Sequence, residues 1–207
     1  LLRRSYTDLA LPGALMDRAK QWLMPTDARW KESSKTWTFP SGATLSFGYL
    51  EHTGDEYRYQ STEFQFIGFD ELTQFEEKQY RYLFSRLRRL KDSTAPLRMR
   101  TASNPGGIGH EWVRSRFIDE DPLKSRRVFI SARLPDNPYL DQEAYVQSLD
   151  QLDPVTRRQL LQGDWTARQP GNLFQREWFD VVEDVPVFIN RSVRYWDLAA
   201  TPKRPGT

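Results

Sequence analysis

Apolar and polar positions follow two periods along this chain, and each change of period marks an element. Ser5 to Asp8 offers a helix start ahead of a broken helical pattern, in which Leu15, Ala19, Trp22 and Leu23 share one face. The period then shortens to two. Trp37 and Phe39 alternate with polar residues, Pro40-Ser41-Gly42 turns, and Ala43, Leu45, Phe47 and Tyr49 alternate again, which predicts a β-hairpin. Residues 51–62 are polar and read as a loop.

Phe64-Gln65-Phe66-Ile67-Gly68-Phe69 is apolar enough for a strand covered on both faces, as in a parallel sheet, and it ends at Asp70-Glu71. A helix is predicted next. Thr73 and Glu76 form a capping box, and Tyr80, Leu83, Phe84, Leu87 and Leu90 form its apolar stripe. Arg81, Arg86, Arg88, Arg89 and Lys91 would lie on its other face, either solvated or against nucleic-acid phosphates. Leu97–Ala102 reads as a second strand, Trp112–Ile118 as a short helix and Val128–Ala132 as a third strand. Two helices follow, one near Asp141–Leu149 and one with Asp153 as N-cap, Pro154 in its first turn and Gly163 past its end. Val193–Leu198 is a last strand, with Asp197 near its C-terminal end. Strand–helix alternation through the middle predicts an α/β fold, a mainly parallel sheet flanked by helices.

Composition narrows the chemistry. The 207 residues carry 30 Lys+Arg against 28 Asp+Glu, a net charge of +2, so any nucleic-acid binding must come from a local patch. Cysteine is absent, which removes disulfides, thiolate metal sites and a Cys nucleophile. His52 and His110 are the only histidines, too few for an ordinary zinc site or a ready Ser-His-Asp triad. Both lie in polar stretches and are expected to face solvent. No apolar run nears the roughly 20 residues that span a bilayer, so no membrane partner is expected. The ends, Leu1-Leu2-Arg3 and Arg204-Pro205-Gly206-Thr207, look cut from a longer polypeptide.

The candidate chemistry lies at strand ends. Phe66-Ile67-Gly68-Phe69-Asp70-Glu71 has the form of a Walker B strand. The carboxyl end of such a strand faces the ligand crevice of an open α/β sheet. The first acid can support Mg²⁺ on ATP phosphates, and the second can orient or deprotonate an attacking water. A strand end followed by a solvated turn also fits these residues alone. Thr101-Ala102-Ser103-Asn104-Pro105 ends the next apparent strand, and a parallel neighbour would place its hydroxyls and amide beside Asp70 and Glu71. Gly106-Gly107-Ile108-Gly109 lacks the spacing of a dinucleotide fingerprint and reads as a flexible, functional loop.

Taken in order, Leu2-Arg3-Arg4-Ser5-Tyr6, Tyr57-Arg58-Tyr59-Gln60, Phe69-Asp70-Glu71-Leu72-Thr73, Thr101–Gly107, Asp136-Asn137-Pro138, Gly163-Asp164-Trp165 and Tyr195–Ala199 resemble the large subunit of a tailed-phage terminase, a DNA-packaging motor and nuclease. The resemblance covers nearly the whole chain, through loose motifs in a specific order. It implies a partial additional-strand P-loop NTPase over 1–165, a linker or subdomain over 166–190, and the first strand of an RNase H-like nuclease over 191–207. Asp70 would support Mg²⁺, and Glu71 would be the catalytic carboxylate of ATP hydrolysis. Thr101, Ser103 and Asn104 would match the coupling motif, Arg58 the arginine finger, and Asp197 the first aspartate of a Mg²⁺- or Mn²⁺-dependent nuclease. Implied partners are double-stranded DNA, the portal protein, the terminase small subunit and further copies in a ring on the portal, all in the cytoplasm of a bacterial host.

One departure stands out. No G-x-x-x-x-G-K-[ST] occurs anywhere in the chain, so the backbone cradle for phosphates and its lysine are missing. The 207 residues alone are therefore expected to be inactive. A non-catalytic DNA- or portal-binding module, or another additional-strand ATPase such as a helicase, stays open at this point.

Overall fold

The computed structural model describes residues 1–120 and 127–168. The chain divides into two compact units, Leu1–Gln169 and Pro170–Thr207, and all described residues belong to the first. Chain order is β1 (Leu2–Arg3), α1 (Tyr6–Ala10), α2 (Leu15–Leu23), β2 (Arg29–Lys31), β3 (Thr36–Thr38), β4 (Thr44–Ser46), β5 (Gly48–Tyr49), β6 (Phe66–Asp70), α3 (Glu77–Phe84), β7 (Arg98–Ala102), α4 (His110–Phe117), α5 (Gln142–Leu149) and α6 (Pro154–Gln162). Four strands form a parallel sheet in the order β5-β1-β6-β7. Their carboxyl ends, at Tyr49, Arg3, Asp70 and Ala102, therefore share one edge. The α/β class with a mainly parallel sheet is as the patterning predicts.

The hairpin is also present. β3 and β4 pair Trp37 with Leu45, and β2 adds a third antiparallel strand. The chain then leaves this sheet at Phe47 and enters the parallel sheet as β5. Trp37 is fully buried among Leu9, Met16, Ala19 and Phe47, with the Trp30 ring 5.2 Å away. A second core surrounds β6. There Ile67 and Phe69 pack with Leu2, Leu72, Phe75, Tyr80 and Leu83, and Phe69 meets Phe75 edge-on at 5.0 Å.

Helix starts follow the expected chemistry. Ser5 Oγ accepts from the Asp8 amide at 3.1 Å while Asp8 accepts from the Ser5 amide at 3.2 Å. Asp153 Oδ1 accepts from the Val155 and Thr156 amides at 3.0 Å each, and Gly163 closes α6 in a left-handed conformation. On α2 the buried face centres on Met16 and Ala19. Trp22 falls at its margin and is 73% exposed, not part of the core.

Three other expectations are corrected. The helix after β6 is shorter than its apolar stripe. Leu72–Gln74 forms a 3-10 turn, and Glu76, not Thr73, is the N-cap, with the Gln79 side chain accepting from the Glu76 amide at 3.2 Å. The helix stops at Phe84 because the chain turns to pair with Phe64. The Phe64 amide donates to Arg86 O, and the Arg88 amide donates to Phe64 O, both at 3.0 Å. Arg86, Arg88, Arg89 and Lys91 thus lie beyond the helix, Leu90 is exposed, and the basic helical face does not exist. Val128–Ala132 is not a strand. A strand exists only by pairing, and this segment has no ladder partner among the described residues, with Val128 and Ile130 largely exposed. The predicted strand Val193–Leu198 lies outside the described residues. Among those described, no helix is long and apolar enough to cross a membrane.

Trp37 is the largest fully buried side chain among the described residues. Trp37→Ala should cost about 3–5 kcal/mol of unfolding free energy, read as a fall in the urea midpoint.

Candidate functional site

The register of β6 against its neighbours assembles the carboxyl edge. Asp70 stands opposite Ala102 on β7, and Phe69 opposite Leu2 on β1. One step beyond Leu2, Arg3 Nε reaches Asp70 Oδ2 at 2.8 Å, with both side chains about three-quarters buried. This ion pair escapes sequence reasoning, because nothing in Leu2-Arg3 announces a strand beside β6.

Glu71 ends the strand abruptly. Its backbone is left-handed (φ 55°, ψ 59°), a strained conformation for a residue with a Cβ. The turn swings its carboxyl into a half-buried position. Burial pushes its pKa above the usual glutamate value, and the neighbouring Asp70 charge pushes it the same way. Arg3 and the Asn104 amide, which donates to this carboxylate, oppose the shift.

Two of the predicted coupling residues meet the turn that follows the acids. Ser103 Oγ accepts from the Thr73 amide at 3.0 Å and lies 2.9 Å from Thr73 Oγ1. Thr73 Oγ1 also donates to Asn104 O at 3.1 Å. Thr101 sits two residues earlier, opposite Phe69 on β7. Glu71, Thr101, Ser103 and Asn104 line a cavity of about 1120 Å³.

The glycine loop is docked. The Gly109 amide donates to Thr73 O at 2.7 Å. Gly107 has φ +75°, and a Cβ there would stand 2.8 Å from Thr73 O; a Cβ on Gly109 would stand 2.6 Å from Phe75 O. These glycines serve close backbone approach, in place of the flexibility expected of them. His110 follows and is buried, contrary to expectation, while His52 is exposed. His110 Nδ1 accepts from the Gly106 amide at 2.9 Å, which leaves Nε2 as the N–H that donates to Trp165 O at 3.1 Å.

Arg58 is not brought to the acids. It lies on the 3-10 turn Asp55–Tyr59, and its guanidinium is held by Asp55 at 2.9 Å, by Tyr49 O at 3.2 Å and over the Tyr49 ring at 4.6 Å. Tyr49 ends β5, and β1 stands between β5 and β6. Two strand spacings, about 10 Å, separate the two positions along the edge. Asp197 lies outside the described residues.

Comparison with known proteins bears on the family and the fold. The family described as "Terminase large subunit, T4likevirus-type, N-terminal" matches residues 2–181. The large terminase of a thermophilic bacteriophage, solved in complex with ADP, superposes with a TM-score of 0.55 at 20% sequence identity, over 72% of this chain and 36% of that one. The chain thus spans about a third of the length of that relative. No curated protein matches the sequence.

The raised pKa of Glu71 has a consequence for stability. The native state binds this proton more tightly than the unfolded chain does, so the group's contribution to stability falls as pH rises from the ordinary glutamate value through the raised one. Glu71→Gln should therefore raise the Tm at neutral pH, with the gain shrinking as acid protonates the wild-type carboxyl. Thermal melts across pH check this, and a gain that is constant with pH would contradict it.

Proposed function

The chain belongs to the terminase large-subunit family, and from that premise we propose that it forms the Walker B and coupling part of the ATPase in a viral DNA-packaging motor. The observation that carries the proposal is the junction at the carboxyl edge, where β6 ends in Asp70 beside Ala102, the Asn104 amide reaches Glu71, and Ser103 bonds Thr73 in the turn that follows the two acids.

In this reading Glu71 orients the attacking water and takes its proton, a task suited by a pKa raised toward the working pH. Asp70 fits a supporting role toward Mg²⁺. Arg3 engages one carboxylate oxygen and leaves the other, and Mg²⁺ on a nucleotide needs only one or two carboxylates beside phosphate and water. The described residues hold no cluster of three or more acids or histidines that could form an all-protein cage. An ion held there beside Asp70 would supply positive charge against the nucleotide phosphates. Thr101, Ser103 and Asn104 report the γ-phosphate to the Glu71–Thr73 turn. Arg58, held away from the acids of its own subunit and 47% exposed in its side chain, serves as the arginine finger of a neighbouring subunit's site.

The proposal extends to the rest of the protein. Residues 1–165 belong to the ATPase, 166–190 to a linker and 191–207 to the start of an RNase H-like nuclease, with Asp197 as its first Mg²⁺- or Mn²⁺-binding aspartate. The ring assembles on the portal with the small subunit and translocates double-stranded DNA in the host cytoplasm. The phosphate cradle that this sequence lacks is supplied by other parts of the full-length protein.

In the full-length protein, Glu71→Gln should abolish steady-state phosphate release while nucleotide binding, followed by calorimetry, persists. The 207-residue chain alone should release no phosphate; turnover near the ~1–100 s⁻¹ of phosphoryl-transfer enzymes would overturn the assignment of the missing cradle. Arg58→Ala should lower kcat roughly 10³-fold or more with little change in KM, as removal of an arginine finger does. A fall below about tenfold would make Arg58 a loop residue.

A further inference from the structure

His110 is a buried titratable side chain that the reaction above does not use. Its two ring nitrogens join two segments distant in sequence. On one side is the loop after β7, through the Gly106 amide; on the other is the Gly163–Ala167 segment after α6, through the Trp165 carbonyl. The imidazole also lies against the Trp165 ring, with centroids 5.4 Å apart and planes 35° apart. A second contact supports the same junction, since Gly106 packs so closely on α6 that a Cβ would come 3.0 Å from Gln159 Oε1. Gln159 Nε2 in turn donates to Ala167 O at 2.9 Å.

The same loop is fastened on its opposite side to the catalytic turn. Thr73 uses its amide and hydroxyl on Ser103 and Asn104 and its carbonyl on Gly109. The Asn104 amide reaches the Glu71 carboxylate. Loop 103–109 is therefore clamped between Glu71–Thr73 and residues 159–167. The segment it touches is the last part of the first compact unit, which ends at Gln169.

We infer that His110 is a positioning residue that transmits the nucleotide state of the Glu71–Asn104 junction to residues 159–167, where the chain leaves the ATPase unit. This rests on the ATPase reading above. The imidazole suits the task because it offers one acceptor and one donor at a fixed separation in a rigid ring, both spent on backbone atoms. A shift of Asn104 or Gly106 cannot be absorbed by side-chain rotation at His110 without breaking one of the two bonds.

The test is hydrogen–deuterium exchange of the full-length protein with and without ADP and a non-hydrolysable ATP analogue. In wild type, both residues 71–74 with 103–109 and residues 159–168 should change their exchange rates between the two nucleotides. Where exchange reports an opening equilibrium, a coupling free energy appears as the same fold-change in rate, so the change in the second segment should fall within the roughly 5–150-fold range usual for coupled sites. His110→Asn keeps an acceptor for the Gly106 amide but is too short for the Trp165 carbonyl. In it the first response should persist and the second should fall below about twofold, outside that coupled range. If that variant folds poorly, His110→Gln, which reaches Trp165 but releases Gly106, should give the same loss. A variant that transmits the response as wild type does would overturn the inference, as would a wild type in which 159–168 never responds while 71–74 does. Failure of the ATPase reading is distinct: there, neither nucleotide would alter 71–74 and 103–109 at all.

Discussion

Thr73 is the residue on which the carboxyl edge depends. It is 3% exposed, and each of its polar groups is spent on the neighbouring loop: the amide on Ser103, the hydroxyl on Ser103 and Asn104, the carbonyl on Gly109. Each such bond contributes only about 1 kcal/mol net, yet a buried group left unpaired costs about 1–3 kcal/mol. The arrangement is therefore nearly all-or-none. If the loop after β7 moved away, three buried groups on one residue would lose their partners together. That makes the position of Ser103 and Asn104 relative to Glu71 a property of the fold, not of side-chain chance.

Glu71 carries the cost of that arrangement. A non-glycine residue in the left-handed region and a half-buried carboxylate beside Asp70 each work against stability. The surroundings over-determine it. Phe69, Leu72 and Phe75 are locked in the core on either side, so the chain has no room to relax between them. In the proposed role, the desolvation held by this packed core favours proton acceptance, because a fully solvated glutamate is a weaker base.

How much of this was legible in the sequence depended on whether the signal was local. The apolar run before Asp70-Glu71, the helix start at Ser5–Asp8 and the Asp153-Pro154 helix start are local patterns, and the structure has all three. The proximity of Ser103 and Asn104 to Glu71 was legible too, since two apparent parallel strands ending in polar residues leave few alternatives. What stayed hidden depends on partners far along the chain. A strand of two residues, Leu2–Arg3, has no period to detect, so the Arg3–Asp70 pair could not be foreseen. Leu87 and Leu90 continue a helical stripe by spacing, but Phe64 captures the backbone at Arg86 and Arg88 and ends the helix first. Gln79 looks like a surface residue of α3. It is fully buried, because its amide accepts from Arg4 at 3.1 Å and donates to His52 O at 3.0 Å. His110 sits in a polar stretch for the same reason: its partners, Gly106 and Trp165, are backbone groups that no side-chain pattern reveals.

Two guanidinium groups at one sheet edge show how far strand order constrains roles. Arg3 and Arg58 both stand at carboxyl ends of parallel strands, but Arg3 ends the strand next to β6, and Arg58 leans on the strand beyond it. Arg3 is committed to Asp70 and so tunes the ground-state charge of the site. Arg58 is committed to Asp55 and the Tyr49 ring, and rotation of its side chain alone would have to cross β1 to reach the acids. A charge that must appear only in the transition state is best supplied by a group absent from the resting site. In the proposed ATPase, this is the logic for giving the transition-state role to Arg58, which rests on Asp55 and Tyr49, while Arg3 is spent on Asp70.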